Sequence, residues 1–275
     1  MLRWISLVLL LPLFLATQLT AQEVRRYVRY QAGGEVSFGL LEGEEVRPIQ
    51  GDLFGEHRIT TSRIPLSEVH LLAPVDPSKV IAVGLNYQSH LGEREPAAYP
   101  GLFAKYPTSI VGPGAPVVRP PDSGNLHYEG EMVIVMGREA KNVPETEAAQ
   151  YIFGVTAGND ISERDWQRED LQWFRAKGSD TFGPVGPFLV TGLEPNDLLL
   201  QTRVNGEVRQ SQRTSDLIFD VAEIVSYVSR YVTLYPGDII FTGTPGSTQA
   251  MEPGDVVEVE LEGVGILRNT IVAGG

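Results

Sequence analysis

The residues with the clearest chemical potential are Glu129 and Glu131, inside the stretch His127-Tyr-Glu-Gly-Glu-Met-Val-Ile-Val-Met-Gly137. The run from Met132 to Met136 is short, apolar, partly β-branched and closed by Gly137, so it reads as a buried strand. Strand side chains alternate faces, which points both carboxylates the same way, about 6–7 Å apart along the chain. Gly130 between them leaves the opposite face bare, so that another backbone can come close. Two like charges on one face repel unless a cation lies between them, and a hard divalent ion is the usual answer. Spacing alone leaves a solvated pair on a strand edge as the alternative.

The elements that must position this pair are mostly short strands. Residues 22–75 read as a small β appendage: Val24 to Tyr30 and Val36 to Leu41 flank Gly33-Gly34, a hairpin signal, and Glu45 to Ile49 gives a third strand. Pro74 and Pro77 mark a boundary, and residues 76–275 form the main domain. Val80 to Gly84 is a buried strand, followed by a polar, turn-rich segment from Asn86 to Pro107 that carries His90, Glu93, Arg94 and Lys105 and suits a lid. Glu147 to Ile152 reads as a short helix. Gly154 to Gly158 reads as a strand ending on Asn159-Asp160, and Ser162 opens a polar helical turn through Gln167. The strongest helix runs from Val221 to Arg230, with Val221, Ile224, Val225 and Val228 on one face and a capping-box-like start at Asp220 and Glu223. Ile239 to Phe241 and Asp255 to Leu261 are late strands. Many strands and few helices indicate an α+β, mainly β fold.

Composition narrows the function classes. The chain has 275 residues, 42% of them hydrophobic, and a formal net charge of −13 without a basic cluster. That argues against nucleic acid and anionic membrane surfaces as partners. With no cysteine, disulfides and thiol chemistry are excluded. Arg3, the apolar run Trp4 to Ala16 and the polar Thr17 to Ala21 have the layout of a secretory signal peptide over residues 1–21, so the protein is expected to be exported, periplasmic or secreted. The run is too short, and broken by Pro12, to span a bilayer comfortably.

Five motifs occur in order: His127 to Glu131, Gly158 to Asp165, Lys177 to Pro187, Val204-Asn-Gly-Glu207, and Tyr235-Pro-Gly-Asp-Ile-Ile-Phe-Thr-Gly-Thr-Pro245. Together they resemble the fumarylacetoacetate hydrolase family, whose members act on 2-oxo acids and their enols. The likeness covers about residues 76–275, and the appendage resembles that family's N-terminal extension. The resemblance implies a mixed β-roll catalytic domain, a homodimer, and a magnesium or manganese ion held by Glu129, Glu131 and Asp160. Three carboxylates leave about three positions of an octahedral ion for water or substrate oxygens. Without the likeness, Asp160 would read as a helix N-cap.

Lys177 matches the family's active-site lysine, suited to a substrate carboxylate or a developing oxyanion. Thr244, with Gly243 before it, matches the loop that binds the substrate carboxylate. His90 and Glu93 match a His-x-x-Glu pair on the lid, where a helical turn would let the glutamate orient the imidazole for proton transfer or water activation. His127 suits support behind the ligands rather than ligation. Ser179, Gly183 and Gly246-Ser247-Thr248-Gln249 depart from the family's usual pattern. The leading expectation is metal-dependent hydrolysis of a C–C bond in an acylpyruvate-type diketo acid. The alternatives are isomerisation of a 2-hydroxy-diene-dioate, oxaloacetate decarboxylation or tautomerisation, and non-catalytic capture of small carboxylates.

Overall fold

The computed structural model describes residues 23–275; the segment 1–21, read above as a signal peptide, lies outside the described residues. The architecture is mainly β, with two sheets packed face to face and few helices.

The larger sheet has 13 strands. Its centre is Gly130–Met136, paired antiparallel on one side with Ile152–Asn159 and on the other with Ile239–Phe241. Beyond Ile239–Phe241 the sheet continues through Val80–Gly84 in parallel and ends at the edge strand Gly101–Lys105. Beyond Ile152–Asn159 comes Gly183–Thr191, onto which Arg25–Ala32 pairs. The N-terminal meander Arg25–Ala32, Glu35–Glu42 and Glu45–Gly51 thus extends the same sheet. The hairpin read at Gly33-Gly34 is present, with φ of +57° and +88°, values a side chain would resist. The second sheet has five strands: Pro116–Arg119, Gly265–Ala273, Val256–Leu261, Leu199–Val204 and Glu207–Arg213.

Gly130–Met136 is buried on both faces, which explains its unbroken apolar run. Met132, Ile134 and Met136 enter the core between the sheets, with Val155, Val190, Leu200, Val259 and Leu267. The helix Val221–Tyr231 caps that core with Val221, Ile224, Val225 and Val228, and its start is the capping box Asp220/Glu223 that the sequence signalled. Val133 and Val135 face the other way, against Val80, Ala82, Ile239, Phe241 and Leu53. No helix among the described residues is long and apolar enough to cross a membrane.

Two local readings change, and a further short helix comes into view. The segment Asn86 to Pro107 is not all loop: Gly101–Lys105 is a strand, hidden in the sequence because its apolar run is short and lies between the turn-forming Pro96, Pro100 and Pro107. Glu145–Tyr151 is 3₁₀ rather than α. Lys177 stands on a short helix, Phe174–Gly178.

Gly130 is bare because a side chain, not a backbone, fills the space opposite the carboxylates. A Cβ there would lie 1.9 Å from Thr202 Oγ1, a buried hydroxyl with no hydrogen-bond partner. Gly130→Ala is expected to destabilise the protein by about 1–3 kcal/mol through overpacking. Adding Thr202→Ala should restore part of the melting temperature; equal melting of Gly130→Ala and wild type would show that the sheets separate more easily than this contact implies.

Candidate active site

The start of Gly130–Met136 lies beside the end of Ile152–Asn159, with Gly130 opposite Asn159 and Glu131 opposite Gly158. This register brings Asp160 up to the Glu129/Glu131 pair. The backbone seals the corner: Asp160 N–H donates to Glu129 O and Glu129 N–H to Asn159 Oδ1, each at 2.8 Å. One oxygen from each of Glu129, Glu131 and Asp160 lies within 4.8 Å of the others, and all three residues are buried. Asp160 is not a helix cap; Glu163 holds that post for Arg164–Glu169, accepting from Trp166 N–H at 2.8 Å.

Three buried carboxylates need counter-charge, and the fold supplies part of it. Lys177, 2% exposed, donates from Nζ to Glu129 Oε2 at 2.6 Å and to Asp160 Oδ2 at 2.5 Å. Lys105 Nζ takes the other Asp160 oxygen, Oδ1, at 2.6 Å and the Lys177 carbonyl. Arg164 binds Glu129 Oε1. Burial opposes ionisation of Glu129, but Lys177, Arg164 and His90 outweigh it and hold the carboxyl below its usual range. Burial likewise works against the Lys177 ammonium, and Asp160 with Glu129 override it, so the lysine stays charged.

Glu131 differs. It has no cationic partner among the described residues and accepts one protein hydrogen bond, from Gly243 N–H at 2.7 Å. Burial, then the charges of Asp160 and Glu129, push it well above the usual carboxylate range. Three converging hard oxygens, one of them lacking a counter-ion, are the donor set that suits magnesium or manganese.

The cluster lines a cavity of about 500 Å³ together with His90, Arg94, Phe103, His127, Gln167, Arg168, Trp173, Lys177, Thr244 and Thr248. His90 and Glu93 are not brought together. The helix there is one turn, Gln88–Leu91, stopped by Gly92 at φ +67°, so the face carrying His90 does not reach Glu93, which is exposed. His90 Nδ1 lies 2.5 Å from Gly246 O instead, and Gly246 N–H donates back to Ser89 Oγ at 3.0 Å. A carbonyl only accepts, so Nδ1 carries a proton, and Nε2 turns inward, 3.6 Å from Glu129 Oε1.

Thr244 lines the cavity and Gly243 stands behind it, but their polar groups are engaged. The Gly243 amide serves Glu131, and Thr244 Oγ1 donates to Gly130 O and accepts from Gln210 Nε2, both at 2.8 Å. Gln210 is buried and also reaches Pro245 O at 2.6 Å and Gly130 N–H at 3.1 Å. It fastens the Thr-Gly-Thr-Pro loop to the ligand strand from the second sheet. Its one sequence signal is its place just after Val204-Asn-Gly-Glu207. Lys105 could be found only through its unusual position in an apolar edge strand.

His127 supports Arg164 through a directed chain. Asn125 Nδ2 donates to Asp165 at 3.0 Å, so its Oδ1 faces His127 Nε2 at 2.8 Å, and that nitrogen holds the proton. Thr248 Oγ1 then donates to His127 Nδ1 at 2.8 Å while accepting from Arg164 at 2.9 Å. The imidazole is neutral, lowered to about 4 by burial first and by Arg164 next.

Comparison with known proteins gives the family. Residues 79–272 match the family described as "Fumarylacetoacetate (FAA) hydrolase C-terminal", and residues 25–74 match "Rv2993c-like, N-terminal". The chain is 41% identical over 223 residues to a mitochondrial oxaloacetate tautomerase, Fahd2a, of Rattus norvegicus, covering 76% of this chain and 71% of the relative. A crystal structure of 2-hydroxyhepta-2,4-diene-1,7-dioate isomerase from Mycobacterium marinum superposes with a TM-score of 0.85 at 44% identity, over 91% of this chain and 99% of that one. A maleylpyruvate hydrolase from Sphingobium sp. SYK-6, in complex with manganese(II) and pyruvate, superposes with a TM-score of 0.77 at 29% identity, over 91% and 100%.

The depressed His127 pKa has a consequence for stability. An unfolded imidazole near 6.5 binds a proton that the folded one, near 4, rejects, so this contribution is complete above pH 6.5 and is lost as pH falls towards 4. Melting temperatures of wild type and His127→Leu should therefore converge as pH drops from 7 to 4.5. Parallel curves would mean that the folded imidazole is as basic as a free one.

Proposed function

The chain belongs to the fumarylacetoacetate hydrolase family, and on that footing we propose that it is a divalent-metal-dependent tautomerase or isomerase of 2-oxo acids and their enols. The buried cluster of Glu129, Glu131 and Asp160 with Lys177 bonded into it carries this reading. The names of the tautomerase and isomerase relatives support the reaction type.

A magnesium or manganese ion held by Glu129, Glu131 and Asp160 would supply Lewis-acid polarisation of the 2-oxo group. The chain's own residues do the rest. Lys177 places a fixed positive charge at the cluster, where negative charge grows on the carbonyl oxygen. His90 offers a single base, Nε2, with its tautomer fixed by Gly246 O. That nitrogen takes a proton from the carbon beside the carbonyl and returns it elsewhere on the conjugated system. Trp173 and Phe103 wall the cavity.

This ordering differs from the leading expectation of C–C hydrolysis. Hydrolysis leaned on a His90/Glu93 dyad to activate water, and Glu93 is exposed and away from the ring. Hydrolysis stands as the second reading, favoured by the inward-facing His90 Nε2 and by the fold shared with the maleylpyruvate hydrolase. The homodimer belongs to the same proposal: Leu102 and Tyr106 on or beside the edge strand lie exposed, as do Leu171 and Phe174 on the neighbouring segment.

The test follows the enol absorbance of oxaloacetate, a 2-hydroxy-diene-dioate and an acylpyruvate with magnesium, manganese or chelator. Proton transfer should be accelerated with metal and fall to the uncatalysed rate with chelator or in Glu131→Gln, and His90→Ala should cost about 10²–10⁴-fold. Cleaved acylpyruvate products would favour the hydrolase reading instead. Binding without turnover would leave a carboxylate-binding protein. For the dimer, light scattering should give twice the chain mass, reduced to one chain by Leu171→Glu with Phe174→Glu; a monomeric wild type would overturn it.

A further inference from the structure

Four cationic side chains line the cavity beside its three carboxylates, and three of the four are already bound to an acidic group. Lys177 holds Glu129 and Asp160, Arg164 holds Glu129, and Arg168 holds Asp165. Arg94 is the exception. No carboxylate pairs with it among the described residues; the one hydrogen bond of its side chain runs from Nε to Leu91 O at 3.0 Å. That bond fixes the stem of the guanidinium and leaves both terminal nitrogens open. The residue is exposed and yet lines the cavity, which places it on the rim, on the segment that follows His90.

The charge balance gives this rim a purpose. Lys177 and Lys105 pair with Asp160, Lys177 and Arg164 with Glu129, and Arg168 with Asp165, so Arg94 is the lining cation left without an acidic partner. A ligand with one carboxylate, held at the cluster, cannot answer a positive group at the rim as well. A ligand with a second carboxylate can, and a planar guanidinium is built to hold a carboxylate through two parallel N–H donors.

We propose that Arg94 is a specificity-determining residue that binds the distal carboxylate of a dicarboxylic 2-oxo acid at the rim of the cavity. The assignment rests on the reading of this cavity as a 2-oxo acid site. Arg94 touches neither the carbonyl nor the proton in transit, so its loss acts on binding and leaves the chemical step alone. Glu93, beside it in the exposed turn, contributes nothing to the pocket.

The experiment compares wild type, Arg94→Gln and Arg94→Lys in magnesium with two ligand pairs. In turnover, Arg94→Gln should raise KM for oxaloacetate at least tenfold with kcat within twofold, and leave KM for acetylpyruvate, which has one carboxylate, unchanged. Arg94→Lys should recover part of the loss. In calorimetry, which needs no turnover, Arg94→Gln should weaken 2-oxoglutarate at least tenfold and spare pyruvate. Equal effects on the one- and two-carboxylate ligands, or no effect on either, overturn the assignment while leaving the catalytic reading intact. Binding without turnover overturns the catalytic reading and leaves Arg94 to be decided by calorimetry. Failure of both ligands to bind wild type overturns both.

Discussion

Holding three carboxylates within a few ångströms of one another, out of water, is the constraint on which the rest of this structure depends. Bringing each charge into the interior costs several kcal/mol before repulsion is added. The fold meets that cost with cations delivered from separate places: Lys105 from the edge strand, Lys177 from a short helix and Arg164 from the helix after Asp160. Both Asp160 oxygens and both Glu129 oxygens are thereby committed, and Glu131 is left as the carboxylate with the least support. The site is poised for one further positive charge, and a hard cation answers that deficit.

Geometry of this kind needs rigid neighbours, and the two sheets provide them. The ligand strand is hemmed in on both faces, and Thr202 fills the gap that Gly130 opens. Gln210 reaches across from the second sheet to pin both the strand and the Thr-Gly-Thr-Pro loop. By contrast, the parts that meet the ligand first, around His90 and Arg94, belong to a one-turn helix and the exposed segment after it. A stiff metal corner beside a softer rim separates positioning of the reacting atoms from selection of what enters.

Much of this was legible because it is local. The alternation around Glu129 and Glu131, the apolar run after them, the Gly33-Gly34 hairpin and the capping box at Asp220 and Glu223 are all written within a few residues. Asp160 was legible through the run of motifs around it. Contacts between residues distant in the chain were not: Lys105 meets Asp160 across 55 positions and Gln210 meets Gly130 across 80. The departure noted at Gly246 to Gln249 was visible, but not its use, which is to orient His90 through Gly246 and Arg164 through Thr248. Glu93 misled because its spacing from His90 fits a continuous helix, and Gly92 ends that helix first.

The position of Lys105 has a mechanical side. Gly101–Lys105 is the last strand of the sheet, supported by Val80–Gly84 on one flank only, yet its final residue carries an ammonium that rests on Asp160. The outer boundary of the sheet and the electrostatic interior of the site are thus the same piece of chain. Whatever stiffens or frays that boundary, such as a strand docked on the open flank, strain in the preceding loop or local opening under heat, is transmitted along five residues to the counter-charge of the carboxylates. The periphery of this protein is therefore not insulated from its chemistry.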